Sequence, residues 1–184
     1  VRRILHSHKL RPWRVHHWMN PMAARDEVFY ERTRRIADLY TRPLASHEMV
    51  WSVDEKTSLQ PRPRRAKTRP ARPGRTVQVE HEYKRDGALH LFAAFDTRSG
   101  RVLGRTYERK RQSEMIDFLE ALDRHIPRAK TKVYLVMDNV SYHKGALVRA
   151  WLESHSRFEF VFTPVHCSWM NQVEQWFGLL QRER

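Results

Sequence analysis

A chain of 184 residues, 40% apolar and with six Trp, six Tyr and eight Phe, can bury a substantial core as one domain with some irregular extension, which excludes a disordered polymer. Its 35 Lys and Arg against 21 Asp and Glu give a charge of +14, and such a balance points to a polyanionic partner. The lone cysteine, Cys167, excludes an internal disulfide and a cysteine-rich zinc site, and no apolar run reaches the roughly 20 residues of a membrane span.

The charge is unevenly spread. Residues 1–25 carry six basic groups and no acid, and residues 61–75 (PRPRRAKTRPARPGR) carry seven and no acid, so the rest of the chain is close to neutral. That is the pattern of a neutral scaffold with phosphate-binding attachments.

In chain order, residues 1–18 predict a short helix to about Leu10, a break at Pro12, and an aromatic-basic segment without the apolar core of a signal peptide. Residue 1 is Val rather than an initiator Met and falls inside this helix, so the reading is of a chain cut short. Val28, Ile36, Leu39 and Tyr40 can share one face of a helix over 24–40, which Pro43 ends. EMVWSVDE (48–55) predicts an apolar strand with Asp54 at its end. The four prolines and one glycine of 61–75 predict an extended surface loop, for which a solvated linker is the plainer alternative. A strand follows over 76–83, then a hairpin of 88–96 and 101–108 about the turn TRSG. Met115, Phe118, Leu119 and Leu122 mark a helix over 112–125 that Pro127 closes. KVYLVMD (132–138) is a strand ending in Asp138; a helix over 144–154, a strand over 158–162 and a final helix over 169–182 complete the chain. Trp169, Trp176 and Phe177 are read as core packing of that last helix rather than as base-stacking platforms.

Strands joined through helical crossovers predict an α/β fold, a mixed sheet flanked by helices whose later strands run parallel. The strands ending in Asp54 and Asp138 can then lie side by side, with Glu174 turned across them from the last helix. An Asp after a strand is often only a turn or cap residue, and Asp138-Asn139 on its own resembles turn chemistry. Three carboxylates delivered from separate elements are instead what a pair of Mg²⁺ ions requires: Asp54 bridging both ions, Asp138 on one and Glu174 on the other. Such chemistry needs no protein nucleophile, and no Ser–His or Cys–His arrangement is evident. Glu55 would point to the opposite face of its strand from Asp54. His6, His8, His16 and His17 have no Cys or acidic neighbour to complete a metal site.

VWSVDEKT, LFAAFDTRSGRVLGRTY, YLVMDNVSYHK and TPVHCSWMNQVEQWFGLL together resemble the bacterial insertion-sequence transposases related to mariner elements, over about residue 10 to the end. The succession DNxSxHK then TPxHxSWxNQVExWF is the specific part. The resemblance implies a ribonuclease H-like core with an Asp-Asp-Glu triad at Asp54, Asp138 and Glu174, and two Mg²⁺ ions, with Mn²⁺ as substitute. It further implies cut-and-paste transposition, in which strands are cleaved at element ends and 3′-hydroxyls attack target DNA. Residues 1–45 are then the tail of a helical DNA-binding region and linker, and 46–184 the catalytic domain, cut short at both ends. Arg62, Arg64, Arg65, Lys67, Arg69, Arg72 and Arg75 are expected to bind DNA, in a loop that in relatives helps hold the dimer and DNA. The expected setting is a homodimer on double-stranded DNA, both element ends and target, at the bacterial nucleoid in the cytoplasm, with no membrane. A structure-selective nuclease of the same fold and a non-catalytic DNA-binding remnant are the alternatives.

Overall fold

Alternation along one central strand sorts the helices onto two faces of a sheet. The computed structural model describes Ser7 and residues 25–182. The expected leading helix, the aromatic-basic segment and His6, His8, His16 and His17 lie outside the described residues. The elements are α1 (Glu27–Thr41), β1 (Glu48–Leu59), β2 (Leu89–Asp96), β3 (Val102–Tyr107), α2 (Gln112–His125), β4 (Lys132–Met137), α3 (Ala146–Ser154), β5 (Phe158–Phe162) and α4 (Gln172–Arg182). Short 3₁₀ turns, Ser141–Lys144 and Ser168–Met170, precede α3 and α4. The sheet order is β3-β2-β1-β4-β5, with β1, β2 and β3 antiparallel and β1, β4 and β5 parallel.

Trp51 and Val53 of β1 join Phe92, Leu135 and Met137 on one face, where Met115, Phe118, Leu119 and Leu122 of α2 and Val148 and Trp151 of α3 cover them. Val50, with Val136 and Val161, faces the other way against Ile36 and Leu39 of α1. Further along that second face, Ala93 packs against Val173 and Phe177 of α4. The period of two thus commits Ser52 and Asp54 to the face of α1 and α4, and Glu55 to the face of α2 and α3. Val28, expected on the buried stripe of α1, is instead exposed, because the helix meets the sheet only toward its carboxyl end. Among the described residues no helix is long and apolar enough to cross a membrane.

Two expectations need correction. Asp54 does not end its strand: β1 continues to Leu59, paired with β2 after β4 has stopped. The stretch 76–83 is not a sheet strand either. It returns antiparallel along 61–72 through bonds between Pro63 and Lys84, Arg65 and Glu82, Arg69 and Gln78, and Arg72 and Arg75. The tip turns at Gly74, whose φ of 77° suits glycine. The loop and the expected strand are therefore two arms of one exposed ribbon, the drawn-out end of the β1–β2 hairpin beyond a bulge at Ser58 (φ 58°). Periodicity along one arm could not reveal this, since no core lies beneath it.

At the other end of β1, Glu48 fastens three elements. Its carboxylate accepts two hydrogen bonds of 2.8 Å from Arg42, one of 2.9 Å from the Ala45 N–H and one of 3.2 Å from the Tyr134 hydroxyl. The Arg42 bonds, chiefly, hold its pKa down to about 2. The charged form is thus the one the fold stabilises, and that contribution is complete above the usual value of 4.5 and is lost as pH falls toward 2. Glu48→Gln should lower stability at neutral pH and flatten the acid limb of the stability profile between these values. A variant whose urea midpoint tracks the parent at every pH would show that the clamp contributes nothing.

Candidate active site

The parallel pairing of β1 with β4 runs from Glu48 opposite Lys132 to Ser52 opposite Val136. Continued by two residues, the same register sets Asp54 level with Asp138, the first residue beyond β4. β1 persists here and β4 does not, so Asp54 stays in the sheet while Asp138 stands at its rim.

Asp54 is 6% exposed. Its Oδ1 accepts from the Glu55 N–H at 2.8 Å and its Oδ2 from the Asn171 side-chain amide at 3.0 Å. Burial lifts its pKa to about 7; the Glu55 hydrogen bond opposes this, while the charges of Asp138, Glu55 and Glu174 add to it. Asp138 is half-buried, and its Oδ1 accepts from the Val140 N–H at 3.2 Å and lies 3.0 Å from His143 Nδ1. Burial alone would raise Asp138, yet His143 and that N–H hold it below the ordinary range.

His143 is buried between two carboxylates, with its Nε2 3.6 Å from Glu55 Oε2 on the opposite face of β1. Burial disfavours its charge, but Asp138 and Glu55 outweigh burial and lift it to about 9, which favours the imidazolium form. Glu55, set aside as merely facing away, therefore neutralises the cation that orients Asp138.

Glu174 lies in the first turn of α4 with its side chain exposed. Its position follows from Asn171, just ahead of the helix and fully buried. The Asn171 amide donates to Val53 O at 2.9 Å as well as to Asp54, and its oxygen accepts from the Ser52 hydroxyl. Ser52 Oγ in turn accepts from the Val173 N–H at 3.0 Å, and the Tyr40 hydroxyl donates to Met170 O at 2.9 Å. These bonds lock the start of α4 onto β1 and bring Glu174 to the same face as Asp54. Asn171 belongs to the NQVE motif, and an Asn before a helix is a usual capping signal. Only the fold reveals that its amide faces a strand 117 residues away in sequence.

The sheet thus gathers all three expected carboxylates at one end. Carboxylate oxygens without thiolate partners suit Mg²⁺ or Mn²⁺. Among the described residues no three His, Cys, Asp or Glu side chains converge closely enough to enclose a single ion. Asp54 nonetheless feels the charges of both Asp138 and Glu174.

The basic residues lie elsewhere, along the first arm of the ribbon. Arg65 pairs with Glu82 at 3.2 Å, Arg62 lies over the Tyr83 ring, and Arg64 bonds Glu80 O. Among the described residues, Lys67, Arg69, Arg72 and Arg75 near the tip enter no ion pair, and they line an open concavity there.

The carboxylates fall within a match to a family model described as DDE superfamily endonuclease, over residues 49–184. The chain belongs to this superfamily. It is 26% identical over 161 residues to the insertion element IS630 uncharacterized 39 kDa protein of Shigella sonnei, a stretch that is 88% of this chain and 39% of that protein. The chain therefore spans about two-fifths of the length of that curated relative.

Among solved structures, the Mos1 strand transfer complex contains a chain that superimposes with a TM-score of 0.57 at 14% identity, over 99% of this chain and 55% of that one. The Mos1 transposase paired-end complex with left transposon end gives 0.56 at 15%, with the same coverage. A simian T-cell lymphotropic virus intasome in complex with the PP2A regulatory subunit B56 gamma gives 0.52 at 16%, over 73% of this chain and 38% of that one. These likenesses establish a ribonuclease H-like fold for this member of the DDE superfamily, as its motifs imply.

Asn171→Ala would leave Asp54 Oδ2, Val53 O and the Ser52 hydroxyl without their buried partner, a loss of about 1–3 kcal/mol. Urea denaturation should show a lower midpoint at unchanged slope. An unmoved midpoint would mean that the amide does not fasten α4 to β1.

Proposed function

We propose that Asp54, Asp138 and Glu174 are the catalytic centre of a transposase that cuts double-stranded DNA at element ends and joins the freed 3′-hydroxyls to target DNA. The observation that carries this reading is that Asp54, buried at the end of the sheet where Asp138 stands level with it, feels the charges of both Asp138 and Glu174. Membership of a DDE endonuclease superfamily supports it, as does likeness to an insertion-element protein and to chains of the Mos1 strand transfer complex and of the Mos1 paired-end complex with left transposon end.

In this reading Asp54, Asp138 and Glu174 would hold two Mg²⁺ or Mn²⁺ ions. When bound, these ions lower the pKa of an attacking water or 3′-hydroxyl and stabilise the leaving oxygen. The protein's own part is orientation. Asn171 and the Glu55 N–H fix the two oxygens of Asp54, while Val140 and the His143 imidazolium fix Asp138. Glu174, exposed on the first turn of a helix whose backbone is pinned, can adjust its side chain without moving the helix. The ribbon carries a row of cations to the DNA backbone, where arginine offers paired hydrogen bonds to phosphate. Its uncovered edges favour two chains acting together on paired ends. Such an enzyme would act on bacterial DNA in the cytoplasm.

Asp54→Asn, Asp138→Asn and Glu174→Gln should each lower Mg²⁺-dependent strand cleavage by at least about 100-fold while the chain still binds DNA. Undiminished cleavage in any one of them would remove that residue from the centre. Labelled element ends incubated with plasmid distinguish the outcomes: joined products support transposition, and cleavage without joining assigns a nuclease.

Replacing Lys67, Arg69, Arg72 and Arg75 by Gln should lower the slope of log affinity against log salt by up to about 0.9 for each lost phosphate contact. Changing Arg65, already paired with Glu82, should do less. A slope that does not move returns the ribbon to the role of a linker.

A further inference from the structure

Trp169, expected in the core, is 63% exposed, and Val165 and Val28 are 54% and 52% exposed. All three line one groove between the start of α1 and the loop from β5 to α4. Three large apolar side chains open to water in one concavity mark a site that something covers. The Trp169 ring also stands on a rigid mount. It projects from the 3₁₀ turn Ser168–Met170, whose end is tied by the Tyr40 hydroxyl to Met170 O and by the buried Asn171 to β1.

The surroundings of the groove indicate what covers it. Arg25, Arg32 and His166 line it too, while its one acid, Asp26, is engaged in capping α1 through the Phe29 N–H at 2.9 Å. A groove lined by Arg25, Arg32 and His166 disfavours the same groove of a second copy and attracts a polyanion. Pro164, His166 and Cys167 form a wall shared with the cleft that Asp138 and Asn139 line, so the groove opens beside Asp138. His166 holds the left-handed φ of 61° in that wall, a conformation that side-chain-bearing residues rarely adopt and that surrounding contacts must maintain. An aromatic ring with cations beside it is how proteins hold single-stranded nucleotides: the ring stacks on a base and the cations meet the phosphates.

We propose that this groove is a nucleotide subsite in which Trp169 stacks on an unpaired base flanking the phosphodiester at Asp54 and Asp138, with Arg25 and Arg32 against the adjoining phosphates. This rests on the preceding reading of the carboxylates as a DNA-cutting centre. A stacked ring gives affinity for unpaired strand next to the cut that the ribbon, meeting duplex backbone, does not supply.

The test uses two duplexes, one blunt and one with a short single-stranded overhang carrying 2-aminopurine at each position in turn, with Ca²⁺ in place of Mg²⁺ so that no strand is cut. The unaltered chain should quench 2-aminopurine at a particular overhang position. Trp169→Ala should lose that quenching and bind the overhang duplex about tenfold more weakly, with affinity for the blunt duplex and the thermal midpoint unchanged. Trp169→Phe should keep most of both signals. Quenching that survives in Trp169→Ala overturns the proposal, as does an equal loss of affinity for blunt and overhang duplexes. A change of sedimentation mass in Trp169→Ala with the nucleotide signals unmoved overturns it also, and assigns the groove to a protein contact. Cleavage that persists in Asp54→Asn while Trp169 still quenches supports the subsite and overturns the carboxylate reading. An unaltered chain that binds neither duplex overturns both.

Discussion

Two strands paired in parallel keep one register along their common length, and here that register fixes the spacing of two acids that lie 84 positions apart in the chain. Ser52 opposite Val136 makes Asp54 level with Asp138. Because β4 stops at Met137 and β1 goes on beside β2, one acid remains embedded in the sheet and the other stands at an open rim. Helices also cover both faces of β1.

Placing like charges together in a buried position is unfavourable, and the neighbouring groups offset it in ways that use both faces of β1. On the side of α4, the Asn171 amide meets Asp54 and the Ser52 hydroxyl meets the Asn171 oxygen. On the side of α2 and α3, Glu55 lies against His143, which turns its other nitrogen to Asp138 at the rim. Two successive residues of one strand thus serve the same site from opposite faces: Asp54 presents the carboxylate, and Glu55 sustains the imidazolium that orients its neighbour. The Asn171 contacts carry a second consequence, since the bonds that orient Asp54 also set the start of α4 and so the position of Glu174.

Of the features that would meet DNA, the ribbon is kept apart from this charge cluster. The ribbon continues the β1–β2 hairpin past a bulge and carries its unpaired cations to the tip, away from the carboxylates they would neutralise. Trp169 is held at the nearer edge by the same turn that leads into α4. In the proposed reading, backbone attraction would fall to the ribbon and close-range contact to the turn before α4.

Much of this was legible in the amino-acid order. Strands 132–138 and 158–162 and helix 112–125 were recognisable because apolar spacing reports which face a segment buries, and Pro43 and Pro127 report where helices cannot continue. The three acids stood out because each borders such a segment. What the order of residues could not convey was anything created by a neighbour distant in sequence. Asn171 reads as an ordinary helix-start residue until β1 lies beside it, and Glu55 reads as merely facing away until His143 approaches from behind the strand. The arm 76–83 alternates like a core strand, yet only its pairing with 61–72 shows that it covers nothing. Trp169 reads as core by its chemistry, and the turn on which it sits aims it at water. Local composition determined which segments form and which acids are available. Register, burial and the direction of each side chain arise only when segments pack, and they decided which residues act together.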